Sequence, residues 1–206
     1  MYRPKHFDLN DPARLAALMR RHSFATVITH DGVAPFATHM PVLFHAAAGS
    51  PGTLVTHMAR ANSQWRHFAN GHEVLVIFHG PHAYISPRWY ETQPAVQTWN
   101  YAVVHAYGVP RLVEDAESLR LMLRELVSAF ESHRPQPYGD QLTDEYIDQL
   151  LPAIVGLEIP ITRLEGKLKM SQNRATADRL GVIAALQQSS DQTEREVAEM
   201  MSLEKL

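Results

Sequence analysis

Residues 53–79 read TLVTHMARANSQWRHFANGHEVLVIFH. An apolar run ends in Thr56-His57. A polar loop then presents Arg60, Asn62, Ser63 and Gln64. A helical turn from Trp65 to Ala69 closes at Asn70-Gly71, and a second apolar run, Val74-Leu75-Val76-Ile77-Phe78, follows. Apolar, β-branched runs bounded by Gly, Asn and Ser predict strands. The segment therefore reads as strand, loop, helical turn, strand. Cationic and hydroxyl donors gathered at a strand end and a helix start suit a phosphate, because the first N–H groups of a helix lack internal partners. Ordinary loop polarity with an Asn cap accounts for the same residues.

Outward from this segment the pattern stays β-rich. Asp11 and Pro12 predict a capped first helix running to about Arg21. Phe24 to Thr29 reads as a strand, His30-Asp31-Gly32 as a hairpin turn, and Pro35 to Phe44 as the return strand. Ala46 to Gly52 reads as a loop. Gly80-Pro81 is expected to break the strand that begins at Val74, leaving a short strand from His82 to Ser86. Arg88 to Gln97 reads as an exposed loop. Thr98 to Val113 alternates as one bent strand, with Trp99, Tyr101, Val103, His105 and Tyr107 on a single face. Asp115 opens a helix of 3.6-residue period, ended by Pro135 and Pro137. Thr143 to Leu151 is a shorter helix, Val155 to Met170 a strand bent near Pro160, and the tail from Ala175 two helices parted near Ser189-Ser190-Asp191. The expected fold is mainly β with peripheral helices (α+β), and many short sequential strands suggest a barrel. We expect a barrel domain over 1–174, with helices inserted at about 115–151, and a helical tail over 175–206.

Composition narrows the function classes. The chain has 206 residues, 45% hydrophobic and 20% charged, with 19 basic against 22 acidic residues and a formal net charge of −3. That balance does not mark a nucleic-acid binder. There is no cysteine, so disulfides and thiolate chemistry are excluded. No run approaches the roughly 20 apolar residues of a membrane-spanning helix. The opening Met1-Tyr2-Arg3-Pro4-Lys5-His6 lacks a signal-peptide core, so a cytoplasmic location is expected. Twelve histidines invite a metal reading. No HExxH pattern or carboxylate-backed pair supports one, and no metal ligand is assigned.

Longer words carry a resemblance. MYRPKHF, HMARANSQWR (57–66), VLVIFHGPHAYISPRWY (74–90), TWNYAVVHAYG (98–108) and EIPITRLEGKLKMSQNR (158–174) resemble the PaiB-like FMN-binding negative transcriptional regulators. That family lies within the split β-barrel superfamily of pyridoxamine-phosphate oxidases and flavin reductases. The resemblance implies a split β-barrel, FMN as cofactor, and a homodimer with the flavin at the subunit interface. Residues 88–98 look shorter than is usual in the family. The implied function is an FMN-binding, regulator-like protein with flavin-dependent redox activity open. The alternatives are a flavin reductase or oxidase, or a haem-binding split barrel. No acid–base pair stands out, so no catalytic residue is assigned. DNA binding is supported neither by charge nor by a helix-turn-helix.

The resemblance also places candidate residues. Thr56, His57, Arg60, Asn62 and Gln64 match the loop that holds the FMN phosphate. Arg60 leads, because a guanidinium gives bidentate bonds to phosphate oxygens. Thr38, His39 and Met40 lie on the strand expected to run along the isoalloxazine ring, or simply alternate between core and solvent. Asn100 is a candidate amide partner for a flavin edge. Lys167 and Lys169 share a strand face. They are either solvated or reach a phosphate or the N1/O2 edge of the ring.

Overall fold

The computed structural model describes residues 1–69, 71–132, 134–136, 138 and 142–204. The expected turn residue Asn70, the helix-ending Pro137 and the last two residues of the tail lie outside these. Nine strands are described: β1 (Asp8–Leu9), β2 (Phe24–His30), β3 (Pro35–Pro41), β4 (Leu43–Ala47), β5 (Ser50–Ala59), β6 (Val74–Ile85), β7 (Thr98–Gly108), β8 (Arg111–Val113) and β9 (Ile154–Lys169). The helices are α1 (Pro12–Arg21), α2 (Trp65–Phe68), α3 (Ala116–Glu131), α4 (Asp144–Leu150), α5 (Thr176–Gln187) and α6 (Gln192–Leu203). Hydrogen-bonded order is β3-β2-β6-β7-β9-β5-β4, with β1 and β8 on β9. The path ends in β3 and β4, so the sheet stays open and is not a closed barrel. Two compact units divide the chain: residues 1–18, 79–105 and 165–206 form one, and residues 19–78 and 106–164 the other. The helical tail belongs to the first unit.

In the second unit, the β2–β3 hairpin is made by local chemistry. Asp31 Oδ1 accepts the N–H groups of Val33 and Ala34, both at 2.7 Å, and Gly32 holds φ +99°, a value that favours glycine. Those two bonds hold the Asp31 carboxyl below the usual aspartate range. The expected return strand breaks in two. Pro41 brings no N–H to a ladder, and at Val42, fully buried, the backbone N–H turns to Ser23 O at 2.8 Å. The expected loop at 46–52 is instead a tight hairpin between β4 and β5. β5 pairs along Thr53–Ala59 with residues 154–160 of β9. Helix α3 is capped by Asp115, whose carboxylate accepts Ser118 N–H at 2.9 Å. Its Met122 and Leu126 pack on Val55, and Leu119 packs on Ile147 and Leu151, at the helical spacing read from sequence.

Strand β6 runs unbroken through Gly80-Pro81, against expectation. The residues buried up to Phe78 are Val74, Val76 and Phe78, and those buried from Pro81 onward are Pro81, Ala83 and Ile85. Alternation slips by one residue there while the strand continues, as at a bulge. Gly80 is needed because a Cβ would meet Ala102 Cβ at 2.9 Å. The long strand expected over 98–113 is likewise two, β7 and β8, parted at Val109-Pro110.

In the first unit, residues 88–97 are not simply an exposed loop. Pro87–Trp89 forms a 3-10 turn, Tyr90 is buried, and Asp178 Oδ1 of α5 accepts Thr92 N–H at 2.9 Å. Arg174 lays its guanidinium 4.4 Å from the Tyr90 ring centroid. Buried Arg179 donates to the carbonyls of Met201 and Glu204, each at 3.2 Å, a cation at the C-terminus of α6. Gly181 admits the turn: a Cβ would lie 2.2 Å from Trp89 O. Gly181→Ala is therefore expected to destabilise the protein by about 2–3 kcal/mol through overpacking against backbone. Chemical denaturation checks it, and a change under about 0.5 kcal/mol would show the turn free to shift.

Candidate functional site

Eight of the expected site residues lie in the second unit, on β3, on β5 and in the loop before α2. The structure brings the two segments together directly: Asn62 Nδ2 donates to Thr38 Oγ1 at 3.0 Å. Asn62 Oδ1 also accepts Gln64 N–H at 3.0 Å, so the Asn shapes the loop as an Asx turn. His39 is exposed, bonds Thr26 Oγ1 through Nδ1 at 2.9 Å, and stacks on Phe24.

Several residues are committed to the interior instead. Met40 is buried at 5% exposure, and Thr56 is fully buried, its hydroxyl donating to Pro41 O at 2.6 Å. Gln64 has no exposed surface. Its Nε2 faces three acceptors: Val27 O at 3.0 Å, Thr29 Oγ1 at 3.1 Å and Phe36 O at 3.1 Å. Thr29 Oγ1 in turn bonds His67 Nδ1 at 2.8 Å. Gln64 is thus the clasp that ties the loop to β2 and β3, a role that its sequence neighbours do not reveal. The helix contribution to the phosphate seat is also corrected. α2 has four residues, and Gln64 at its start makes no side-chain cap, so few peptide dipoles align there.

The cations are better organised than the sequence suggests. Trp65 Nε1 donates to Arg60 O at 2.9 Å. The guanidiniums of Arg60 and Arg66 then lie 5.6 and 5.5 Å from the Trp65 ring, within cation–π range. Arg60 also pairs with Glu114 Oε1 at 3.1 Å, both side chains partly exposed. Among the described residues, no carboxylate lies within ion-pair distance of Arg66. Arg66, Trp65 and Glu114 were not singled out from sequence. The first two sit in the quoted motif as an aromatic beside two arginines; Glu114 is remote in the chain and left no signal.

Two buried polar atoms lack hydrogen-bond partners here, His57 Nδ1 and Gln64 Oε1. Buried acceptors and donors ordinarily find partners, so these atoms are the observation against which a ligand can be tested. Burial holds the His57 imidazole below the usual histidine value of 6.5. It is neutral at pH 7 and has one N–H to give. A depressed folded value means that the unfolded chain binds the proton more readily. The stability contributed by His57 is full above about pH 6.5 and is lost as pH falls through the folded value. His57→Gln is expected to flatten the fall in stability below about pH 6.5, read by denaturation at stepped pH.

Asn100, Lys167 and Lys169 lie in the first unit. Asn100 is fully buried; its Nδ2 donates to Ser171 Oγ at 3.0 Å and its Oδ1 accepts from the same hydroxyl at 3.2 Å. That closes the turn at Ser171, whose φ is +59°, and leaves no amide edge for a ligand. Lys167 is not solvated but buried at 7% exposure. Its Nζ donates to Tyr2 O at 3.1 Å and lies 5.4 and 5.3 Å from the rings of Tyr2 and Tyr101. Lys169 Nζ donates to Trp99 O at 2.5 Å and to Thr98 Oγ1. Burial, and then the charge of Lys167, push the Lys169 amine below its usual value. Among the described residues, no group of three or more His, Asp or Glu is placed to hold a metal ion.

The sequence pattern of a family described as "Putative FMN-binding domain" matches residues 1–163. The chain belongs to that family. FMN is accordingly its cofactor, and the cationic and neutral donors of residues 57–66 are of the chemical type that suits a phosphate. A relative in Bacillus subtilis (strain 168), "Protease synthase and sporulation protein PAI 2", is 37% identical over 205 residues, covering 98% of this chain and 96% of its own. Among solved structures, a FAD and heme binding protein from Mycobacterium smegmatis superposes with TM-score 0.62 at 17% identity, over 84% of this chain and 78% of its own. The flavocytochrome Anf3 from Azotobacter vinelandii gives TM-score 0.61 at 15% identity, over 82% and 72%. At such identities these likenesses bear on fold alone. They agree with the split-barrel type of this family member, α+β with an open antiparallel sheet.

Proposed function

We propose that the protein holds FMN by its phosphate at the end of β5, with Arg60 and Arg66 as cationic donors and His57 and Asn62 as neutral ones. The observation that carries this reading is the two guanidiniums set against Trp65, on the loop that follows the strand of His57, whose buried Nδ1 lacks a hydrogen-bond partner. Trp65 fixes both cations before the ligand arrives, which lowers the ordering cost of binding. Thr38 and His39 line the same loop from β3 and orient the ligand. Bound FMN supplies electron transfer; the chain supplies the anchor and the polar frame. No residue is assigned a catalytic proton, and the reading is of a flavin-binding, regulator-like protein, in keeping with a B. subtilis relative named for protease synthase and sporulation. The net charge of −3 disfavours direct DNA contact through phosphates.

A homodimer belongs to this proposal. Trp99 and Tyr84 are 53% and 41% exposed and pack edge to face at 5.9 Å, an aromatic surface that suits a second copy. The lysine pair of the first unit is a further cationic group, offered to the flavin of a partner copy. Lys167→Ala is expected to raise the fraction of neutral reduced flavin; an unchanged titration of the reduced form would remove Lys167 from the site. The proposal as a whole is tested by titrating purified protein with FMN and with riboflavin, while recording absorption and size-exclusion mass. Saturable FMN binding at dimer mass, with riboflavin at least about tenfold weaker, is expected. Equal affinities would remove the phosphate seat. A Soret band in place of flavin absorption would move the protein to the haem reading.

A further inference from the structure

A cavity of about 300 Å³ opens in the second unit between β4 and α3. Its floor is Val42 and Phe44, both buried. The Phe44 ring is wedged in place, since even a Cβ on Gly52 would meet its Cε2 at 2.6 Å. Over this ring, 5.2 Å from its centroid, lies the Arg20 guanidinium. Among the described residues, no carboxylate lies within ion-pair distance of Arg20. The acid that lines the cavity, Glu125, is already engaged by His45 Nε2 at 2.6 Å. Phe130, on the last turn of α3, lines the cavity with 40% of its surface exposed.

These features describe a binding site of defined chemistry. Small-molecule sites combine apolar walls with few oriented polar groups, and this volume sits at the small end of their range. Arg20 is one cation without an acid partner among the described residues, held on a rigid aromatic platform, so it matches a monoanion. A dianion would leave one charge uncompensated near Glu125. A guanidinium binds a carboxylate bidentately, while Phe44 and Phe130 offer apolar surface to the remainder of the molecule. We propose that this cavity binds a small organic acid with an aromatic or branched apolar body, its carboxylate on Arg20 and its body against Phe44 and Phe130. The site is separate from the residues assigned to FMN, and a protein of regulatory character has use for such an effector.

The test uses benzoate and phenylacetate as probes, with benzyl alcohol as the neutral analogue, followed by calorimetry and amide NMR shifts on the full chain. At least one acid is expected to saturate with shifts confined to β4, α3 and the end of α1, and benzyl alcohol to bind at least about tenfold more weakly. Arg20→Gln should lose about tenfold for the acid, and Phe130→Ala should weaken acid and alcohol alike. Both variants should keep wild-type melting and wild-type FMN affinity, which separates this site from the flavin proposal. No saturation by either acid at millimolar concentration, or Arg20→Gln binding as wild type, would overturn the assignment.

Discussion

Arg60→Ala is expected to weaken FMN binding by roughly 10- to 150-fold while leaving riboflavin nearly unchanged. The reason is the phosphate, which only FMN carries. A charge-assisted hydrogen bond of this kind contributes about 1.5–3 kcal/mol, and every 1.4 kcal/mol is about tenfold in affinity. Trp65 sets the size of the effect. With the indole N–H on Arg60 O and the guanidinium against the ring, the arginine is presented in one orientation. Glu114 works against it, because its carboxylate holds the same Nη1 at 3.1 Å. FMN must displace that carboxylate, so Glu114→Gln is expected to tighten FMN modestly, within the small range of exposed ion pairs. Isothermal titration of both ligands against both variants decides the matter. Equal losses of FMN and riboflavin in Arg60→Ala would place the phosphate elsewhere.

Gln64→Leu is expected to cost the fold about 2–5 kcal/mol. Leucine fills a similar volume, so the loss is one of hydrogen bonds rather than of packing. The carbonyls of Val27 and Phe36 would lose a donor inside the protein, and each buried group left unsatisfied costs about 1–3 kcal/mol. For a chain of this size that corresponds to a fall in melting temperature of roughly 5–15 °C. Flavin affinity should fall as well, since Gln64 anchors the loop that carries Asn62 and Arg60. A melting temperature within about 1 °C of wild type would mean that water or a shifted loop replaces the amide.

The two variants separate anchoring from support, and both roles lie in one stretch of five residues, 60–64. Arg60 and Gln64 stood together in the sequence as candidate phosphate ligands in a loop before a helical turn, with Arg60 the leading one. The structure turns Arg60 outward onto Trp65 and Gln64 inward between β2 and β3. A one-residue view of polarity does not separate them, because the direction depends on strands at residues 24–41 that the loop meets only in the folded protein. Thr56 and Asn100 were misread for the same reason: each is polar, and each spends its polarity on a buried partner, Pro41 O or Ser171. For Lys167 the sequence left solvation and a flavin or phosphate contact both open; the fold buries it between two tyrosines.

Short-range chemistry made the elements legible. The Asp115 cap, the Asp31-Gly32 turn and the apolar period of α3 act over a few residues, so their meaning survives without tertiary context. Five long words in fixed order along the chain carried the family and, with it, FMN. Where the backbone departed from expectation, distant contacts decided: Gly80-Pro81 reads as a breaker, yet Gly80 gives the room beside Ala102 that lets β6 run on. Residues 88–97 read as a free loop, yet Gly181 and Asp178, far along the chain, hold them down. The partnership of Arg60 with Glu114 and the cleft of Arg20 over Phe44 likewise arise only on folding. Residue type and spacing report local conformational preference; which polar groups remain available to a ligand is decided by who else is buried beside them.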